Sequence, residues 1–365
     1  MATGTQPPAS SHSSSGVFTD MSNTTDRRPT ADSRVTDSHR ASGLPTPAAE
    51  TVAEMPRDSS VVPDGSTFAL CLTHDVDRPF KGLRWLYYAT RERPAYHLRT
   101  ALSSTNPYWQ FEEIMTLEDA LGVRSAFYFL NEQHLLRELP RREWLSPENW
   151  VHHLGRYDVT APELVDVIRD LDDGGWEVGL HGSSHSATDP AQLREEKTVL
   201  EDALERPVAG GRQHYLKLSV PETWQYHRAI GLAYDATLGS STECGFHAGY
   251  RPIRPFDDDF LVFPLTIMEQ ALPDPATDSD AARETCERLL TEAAANEAVM
   301  TVLWHPRYFN EREFPGYRGL YRWLVERAAA LGAWIGPPRA LCPDSDRPKR
   351  ATATEFNSPH ENPPR

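Results

Sequence analysis

Four small groups of residues in this sequence have types and spacings that could carry out hydrolytic chemistry. Asp75 and Asp77 stand two apart in Thr73-His74-Asp75-Val76-Asp77. In extended backbone, residues two apart face the same side. Two neighbouring carboxylates avoid sharing full charge unless one of them binds a cation, so one reads as a ligand and the other as a general base. His181 and His185 bracket Gly182-Ser183-Ser184, and Gly182 permits a turn that would converge both imidazoles on one ion. With a carboxylate from another strand they would form a facial set of two His and one Asp. That set suits zinc or another first-row divalent metal and leaves positions for water and substrate. Arg212 can hold a carboxylate bidentately and keep it deprotonated. His305 closes a very apolar run, where its pKa would answer to a neighbouring acid, as a proton donor requires. Taken singly, each group has a structural alternative: a chance histidine pair, a capping aspartate, a helix-end arginine, a core histidine. Together they fall at the ends of successive apolar runs, where ionisable groups are costly unless paired or metal-bound.

Those runs are the elements that must position them. Thr67–Leu72, Ser125–Leu130, Trp176–Leu180, Val208–Gly210, Ala233–Asp235, Leu261–Leu265 and Ala298–Trp304 read as buried strands. Between them lie helical patterns over Pro107–Leu121, Leu164–Leu171, Pro190–Leu204, Asp280–Asn296 and Tyr317–Leu331. Gly122 stops the first of these, Thr160 and Glu163 suggest a capping box for the second, and Asp189-Pro190 opens the third. Repeated strand–helix units with continuously apolar strands imply a mainly parallel sheet covered by helices. About seven units predict an α/β fold, a closed or distorted (β/α) barrel, whose chemistry sits at the C-terminal strand ends.

The chain has 365 residues and a formal net charge of −16, with lysine only at Lys81, Lys197, Lys217 and Lys349. Such an acidic surface opposes binding to nucleic acid or to anionic membrane. The composition fits either an acidic, salt-adapted proteome or a codon bias toward arginine. Cys71, Cys244, Cys286 and Cys342 are scattered, which argues against a zinc ribbon or disulfide scaffold. No leader-like or membrane-length apolar run is evident, so a cytoplasmic location is the expectation. Residues 1–65 and 346–365 are poor in large apolar side chains and read as disordered, leaving 66–345 as the catalytic domain.

The order of these motifs resembles the polysaccharide deacetylase family with the NodB-homology domain, over roughly 66–340. The resemblance implies a deformed (β/α) barrel and a divalent metal, zinc or else Co, Mn or Ni, held by Asp77, His181 and His185. It implies Asp75 as base, Arg212 as its support and His305 as acid, with the Tyr215 backbone N–H binding the oxyanion. The implied reaction removes an acetyl or other acyl group from the nitrogen of a sugar in a glycan or glycoconjugate. Three departures stand out. The first motif is Asp-x-Asp, similar to an uncharacterised subgroup; His214 replaces the usual proline; and Val302-Leu303-Trp304-His305 brings in an aromatic where leucine is usual. The stretches Gly245–Asp257 and Phe263–Glu269 resemble the same subgroup.

Residues 78–99 carry Arg78, Lys81, Arg84, Arg91, Arg93 and Arg99 among Trp85, Tyr87, Tyr88 and Tyr96. They read as an amphipathic helix on the barrel, or as a grip on a lipid-phosphate-linked sugar. Two other functions remain open from sequence: hydrolysis of a non-sugar amide or cyclic ureide, and an inactive carbohydrate-binding protein.

Overall fold

The computed structural model describes residues 52, 55–58, 61–82, 84–90, 94–102, 106–136 and 141–343. The tail expected at 346–365 and most of 1–65 lie outside the described residues. Packing begins upstream of residue 66. Arg57 forms a bridge with Ile253, Asp58 N–H donates to the Pro252 carbonyl at 3.0 Å, and Val61 is buried against the sheet.

Among the described residues the strands are β1 (Phe68–Val76), β2 (Ala126–Leu130), β3 (Glu177–Gly182), β4 (Gly210–Gln213), β5 (Tyr234–Asp235), β6 (Leu261–Val262), β7 (Leu265–Met268), β8 (Val299–Leu303) and β9 (Ala333–Gly336). The helices are α1 (Arg84–Ala89), α2 (Pro94–Leu102), α3 (Phe111–Leu121), α4 (Pro147–Gly155), α5 (Pro162–Asp173), α6 (Pro190–Leu204), α7 (Glu222–Ala229), α8 (Ser279–Ala295) and α9 (Tyr317–Ala330). Every ladder between these strands is parallel, in the order β6-β5-β4-β3-β2-β1-β8-β7, with β9 beside the first half of β1.

The two ends of this order, β6 and β7, are separated in the chain only by Phe263-Pro264. Three residue steps span at most about 11 Å, so the sheet must curl until its edges meet. Phe263 N–H donates to the Asp235 carbonyl at 2.8 Å, and Leu265 N–H to the Leu238 carbonyl at 2.7 Å. No ladder joins β6 to β7 among the described residues, so the barrel is curled and incompletely closed. The single strand expected over Leu261–Leu265 is in fact two short strands on opposite edges, because Pro264 has no N–H to give to a ladder.

Alternation along β1 sorts the side chains. Phe68, Leu70 and Leu72 join the core between sheet and helices, whereas Ala69 and Cys71 pack inside the curl with Tyr128, Tyr234 and Phe263. Small residues make room for the interior rings. A Cβ on Gly179 would meet the Tyr128 ring at 2.5 Å, and one on Gly210 the Tyr234 ring at 2.1 Å.

Capping partly differs from expectation. Asp189 accepts from Ala191 N–H at 3.0 Å and Gln192 N–H at 3.1 Å, opening α6. The Thr160–Glu163 box is not formed. Asp158 instead accepts from the Thr160 N–H at 3.0 Å and hydroxyl at 2.7 Å, a local turn that competes with a helix cap.

Candidate active site

The interior parity of β1 continues through Thr73 and Asp75 to Asp77, so both aspartates emerge on the inner side at the C-terminal mouth. His181 lies on β3 and Arg212 on β4, which are paired in register. Arg212 Nη1 donates to Asp75 Oδ1 at 2.7 Å and to Thr73 Oγ1 at 3.0 Å, while its Nε donates to the Ala236 carbonyl at 2.8 Å. The pair is almost wholly buried, and the Arg212 guanidinium also lies over the Tyr128 ring, 5.2 Å from its centroid.

Among the described residues, the donor atoms of Asp77, His181 and His214 lie within 4.8 Å of one another. His181 Nδ1 sits 2.9 Å from the Arg212 carbonyl, which only an Nδ1–H can satisfy. Its Nε2 then faces Asp77 Oδ1 at 3.1 Å. A bare imidazole nitrogen and a carboxylate oxygen so close need a cation between them, either a proton or a metal ion. His214 Nε2 lies 3.7 Å from the same oxygen. Burial pushes the Asp77 carboxyl upward, but the imidazoles of His305, His214 and His181 hold it well below the usual carboxylate range. Two imidazoles and a carboxylate at the strand ends fit a first-row divalent ion.

His185, expected as the third ligand, is not in this cluster. β3 stays extended through Gly182, and His185 starts the 186–188 turn, half-buried, at φ −86°, ψ −34°. Gln213 explains the absence of the expected curl. With its amide oriented to satisfy its neighbours, its nitrogen donates to the Gly182 and Ser183 carbonyls at 3.2 Å each, and its oxygen accepts from His227 Nε2 at 2.9 Å.

His305 projects inward from just past β8. Its Nδ1 lies 2.7 Å from Glu269 Oε1 and its backbone N–H donates to Glu269 Oε2 at 3.3 Å. Its Nε2 is 3.3 Å from Asp77 Oδ2. Burial alone would lower the His305 pKa; the Glu269 and Asp77 carboxylates override it and raise the value to about 10. Sequence reasoning gave Glu269 no role, although a carboxylate ending the apolar stretch Phe263–Met268 was a readable signal. Asp75, Asp77 and His305 share one cleft with Arg78 and Arg307, and Arg307 Nη1 reaches to 3.5 Å from Asp77 Oδ2.

Tyr215 adopts φ 58°, ψ 20°, and the residue is 41 % exposed, its ring stacked on His214 at 3.9 Å. Trp304, just past β8, continues the outward parity of Met300 and Val302 and is fully buried against Tyr317 and Tyr321. Lys81 is buried and pairs with Glu313 and His97, tying α2 to the 310–316 loop. The Arg84 side chain and residues 91–93 lie outside the described residues.

No protein-family model and no curated protein matches the sequence. Solved structures do match. One, from Mycobacterium smegmatis and assigned as a polysaccharide deacetylase, aligns over 78 % of this chain and 92 % of its own at 19 % identity, with a TM-score of 0.51. A second, described as a polysaccharide deacetylase of Pseudomonas aeruginosa PAO1, aligns over 76 % and 90 % at 12 % identity and a TM-score of 0.49. The Puue allantoinase aligns over 76 % and 90 % at 15 % identity and a TM-score of 0.48. At the identity of the Mycobacterium structure the likeness is one of architecture: this chain has the fold of the polysaccharide deacetylase barrel.

Proposed function

We propose that the chain is a metal-dependent hydrolase of an amide bond, removing an acetyl or related acyl group from an amino sugar. One observation carries the reading. A carboxylate held by a buried arginine, a second carboxylate facing imidazole nitrogens, and an imidazole backed by a glutamate all converge at the C-terminal mouth of one parallel barrel. Catalytic groups collect at that face in such barrels. The Mycobacterium structure of the same fold is assigned as a polysaccharide deacetylase.

A divalent cation bound by Asp77 and His181 would supply Lewis-acid polarisation of the carbonyl and acidify water. Asp75, hydrogen-bonded by Arg212, would take a proton from the attacking water. His305, held by Glu269, is placed to protonate the leaving amine, without which nitrogen is a poor leaving group. The Tyr215 N–H, at a left-handed turn of the mouth, is the donor assigned to the developing oxyanion. Arg78 and Arg307 at the cleft favour a substrate with an anionic substituent, as a phosphate-linked sugar has.

The test is acetate release from a panel of N-acetylated glycans and lipid-linked sugars, with a cyclic ureide alongside, before and after chelation. The reading expects turnover of at least one acetylated sugar, loss on chelation and recovery with Zn(II), Co(II) or Mn(II). Turnover of the ureide alone would reassign the substrate, and turnover unaffected by complete metal removal would overturn the chemistry.

A further inference from the structure

Resting on the metal-dependent reading above, we propose that His214 is the third protein ligand of the metal, with the Glu132 carboxylate behind it. His214 is the residue that stands where the resembling motif carries proline.

The case begins with orientation. His181 and His214 each turn Nε2 toward the same atom, Asp77 Oδ1, at 3.1 and 3.7 Å. Each turns Nδ1 toward an oxygen acceptor: the Arg212 carbonyl at 2.9 Å for His181, and Glu132 Oε2 at 3.7 Å for His214. Imidazoles that ligate a metal through one nitrogen commonly give the other to a carbonyl or carboxylate, which fixes the tautomer and raises ligand basicity. His181 has that hydrogen bond, and His214 has the carboxylate of Glu132 behind it at 3.7 Å, beyond hydrogen-bond distance but near enough to engage once the ring is drawn onto a metal; both rings turn Nε2 to one carboxylate. Glu132 is buried, so its carboxylate sits where it acts on the ring rather than on solvent.

The backbone supports the same assignment. β4 ends at Gln213, and the chain turns at once through Tyr215 (φ 58°) and Leu216 (φ 52°), two consecutive non-glycine residues in the left-handed region. Such backbone persists only where the surroundings over-determine it, and it clusters at functional sites. The turn aims His214 into the barrel mouth, and the Tyr215 ring stacked at 16° on the imidazole fixes its plane. The alternative donor, His185, is not in the cluster.

The experiment uses the full chain, stripped of metal and reloaded with Zn(II) or Co(II) alone. Stoichiometry is read by elemental analysis after dialysis, affinity by chelator competition, and coordination by the Co(II) visible spectrum. Wild type is expected to retain one ion. His214→Ala is expected to bind at least about 100-fold more weakly with an altered Co(II) spectrum, and His185→Ala to stay within about threefold of wild type. Glu132→Gln should weaken binding about 10- to 100-fold, as loss of an orienting partner does. This variant also keeps the proposal testable if His214→Ala loses its fold by circular dichroism. Wild-type affinity and spectrum in both His214→Ala and Glu132→Gln would overturn the assignment while leaving the hydrolase reading intact. A wild-type chain that retains no metal would overturn both.

Discussion

The ion pair of Asp75 and Arg212 sits where each partner depends on the other. Both are nearly inaccessible to water, and the guanidinium is further fixed by Thr73 and the Ala236 carbonyl. Breaking a buried pair on one side is far more damaging than replacing both members, because the survivor is a buried charge without compensation. Arg212→Met is therefore expected to lose about 3–5 kcal/mol of stability in urea unfolding. The double variant Asp75→Asn/Arg212→Met should recover most of that loss, yet stay as inactive in amide hydrolysis as the single variant. A single variant costing under about 1 kcal/mol would show that the pair is not what holds Asp75 in place. Each of these two residues was readable as an ionisable group at a strand end, but β1 and β4 are separated in the sheet by β2 and β3, and their pairing came from the family resemblance rather than from spacing. Glu269 was readable as a carboxylate ending an apolar run, but its partner was not, and Glu132 carried no signal: each acts through the histidine it faces, and nothing in a linear sequence says which histidine that is.

At the scale of elements, one buried carboxylate ties the helical layer to the sheet. Glu118 Oε1 accepts from the Tyr321 hydroxyl of α9 at 2.5 Å and faces His74 Nε2 at 3.0 Å; Oε2 accepts from Ser125 Oγ at 2.9 Å and Trp176 Nε1 at 2.7 Å. His74 in turn faces the Trp304 carbonyl through Nδ1 at 2.6 Å. The hub therefore fixes β1 immediately before Asp75 and β8 immediately before His305. Glu118→Gln keeps shape but turns an amide NH₂ toward donors, leaving at least one buried group unpaired. It should cost about 1–3 kcal/mol in urea unfolding, and a cost within error of zero would mean the four partners do not depend on the carboxylate. Periodicity made α3, α5, α6, α8 and α9 and most strands legible, since a buried face repeats every turn; the short α4 and α7 were not expected, and the single helix read over residues 78–99 is two, α1 and α2. The same periodicity contained this hub: Glu118 falls seven residues after Phe111, on the stripe with Ile114, and a charged residue in a buried stripe demands partners. Boundaries and crossings were less legible. Pro264 between two short strands, and the extended path of β3 past Gly182, depend on contacts with Asp235, Leu238 and Gln213 that lie far away in sequence.

For the whole molecule, the curl of the sheet has a consequence for how stability varies with pH. Beside Phe263 and the small residues of β1, its interior encloses a polar chain: Tyr128 OH lies 3.0 Å from Tyr234 OH, which donates to Glu177 Oε1 at 2.6 Å, while the Arg339 N–H donates to Oε2 at 3.2 Å. Burial outweighs these bonds and raises the Glu177 pKa from 4.5 to about 7. A carboxyl whose pKa is raised by folding binds its proton more tightly in the folded chain. Its favourable contribution is complete below about pH 4.5 and is lost as pH climbs to about 7, the opposite of the usual carboxylate. The shift corresponds to roughly 3 kcal/mol between the two limits. Other carboxylates act in the reverse direction, Asp77 among them, so the absolute pH profile does not isolate the effect and a difference must be taken. Glu177→Gln cannot ionise. Its stability relative to wild type should therefore become more favourable from pH 5 to pH 8, with most of the change between pH 5 and 7 and little beyond. Chemical denaturation of both chains at matched ionic strength measures that difference. A gap between the two that stays constant across this range would mean that Glu177 ionises as readily inside the barrel as in the unfolded chain, and that water reaches the interior from the end opposite the catalytic mouth.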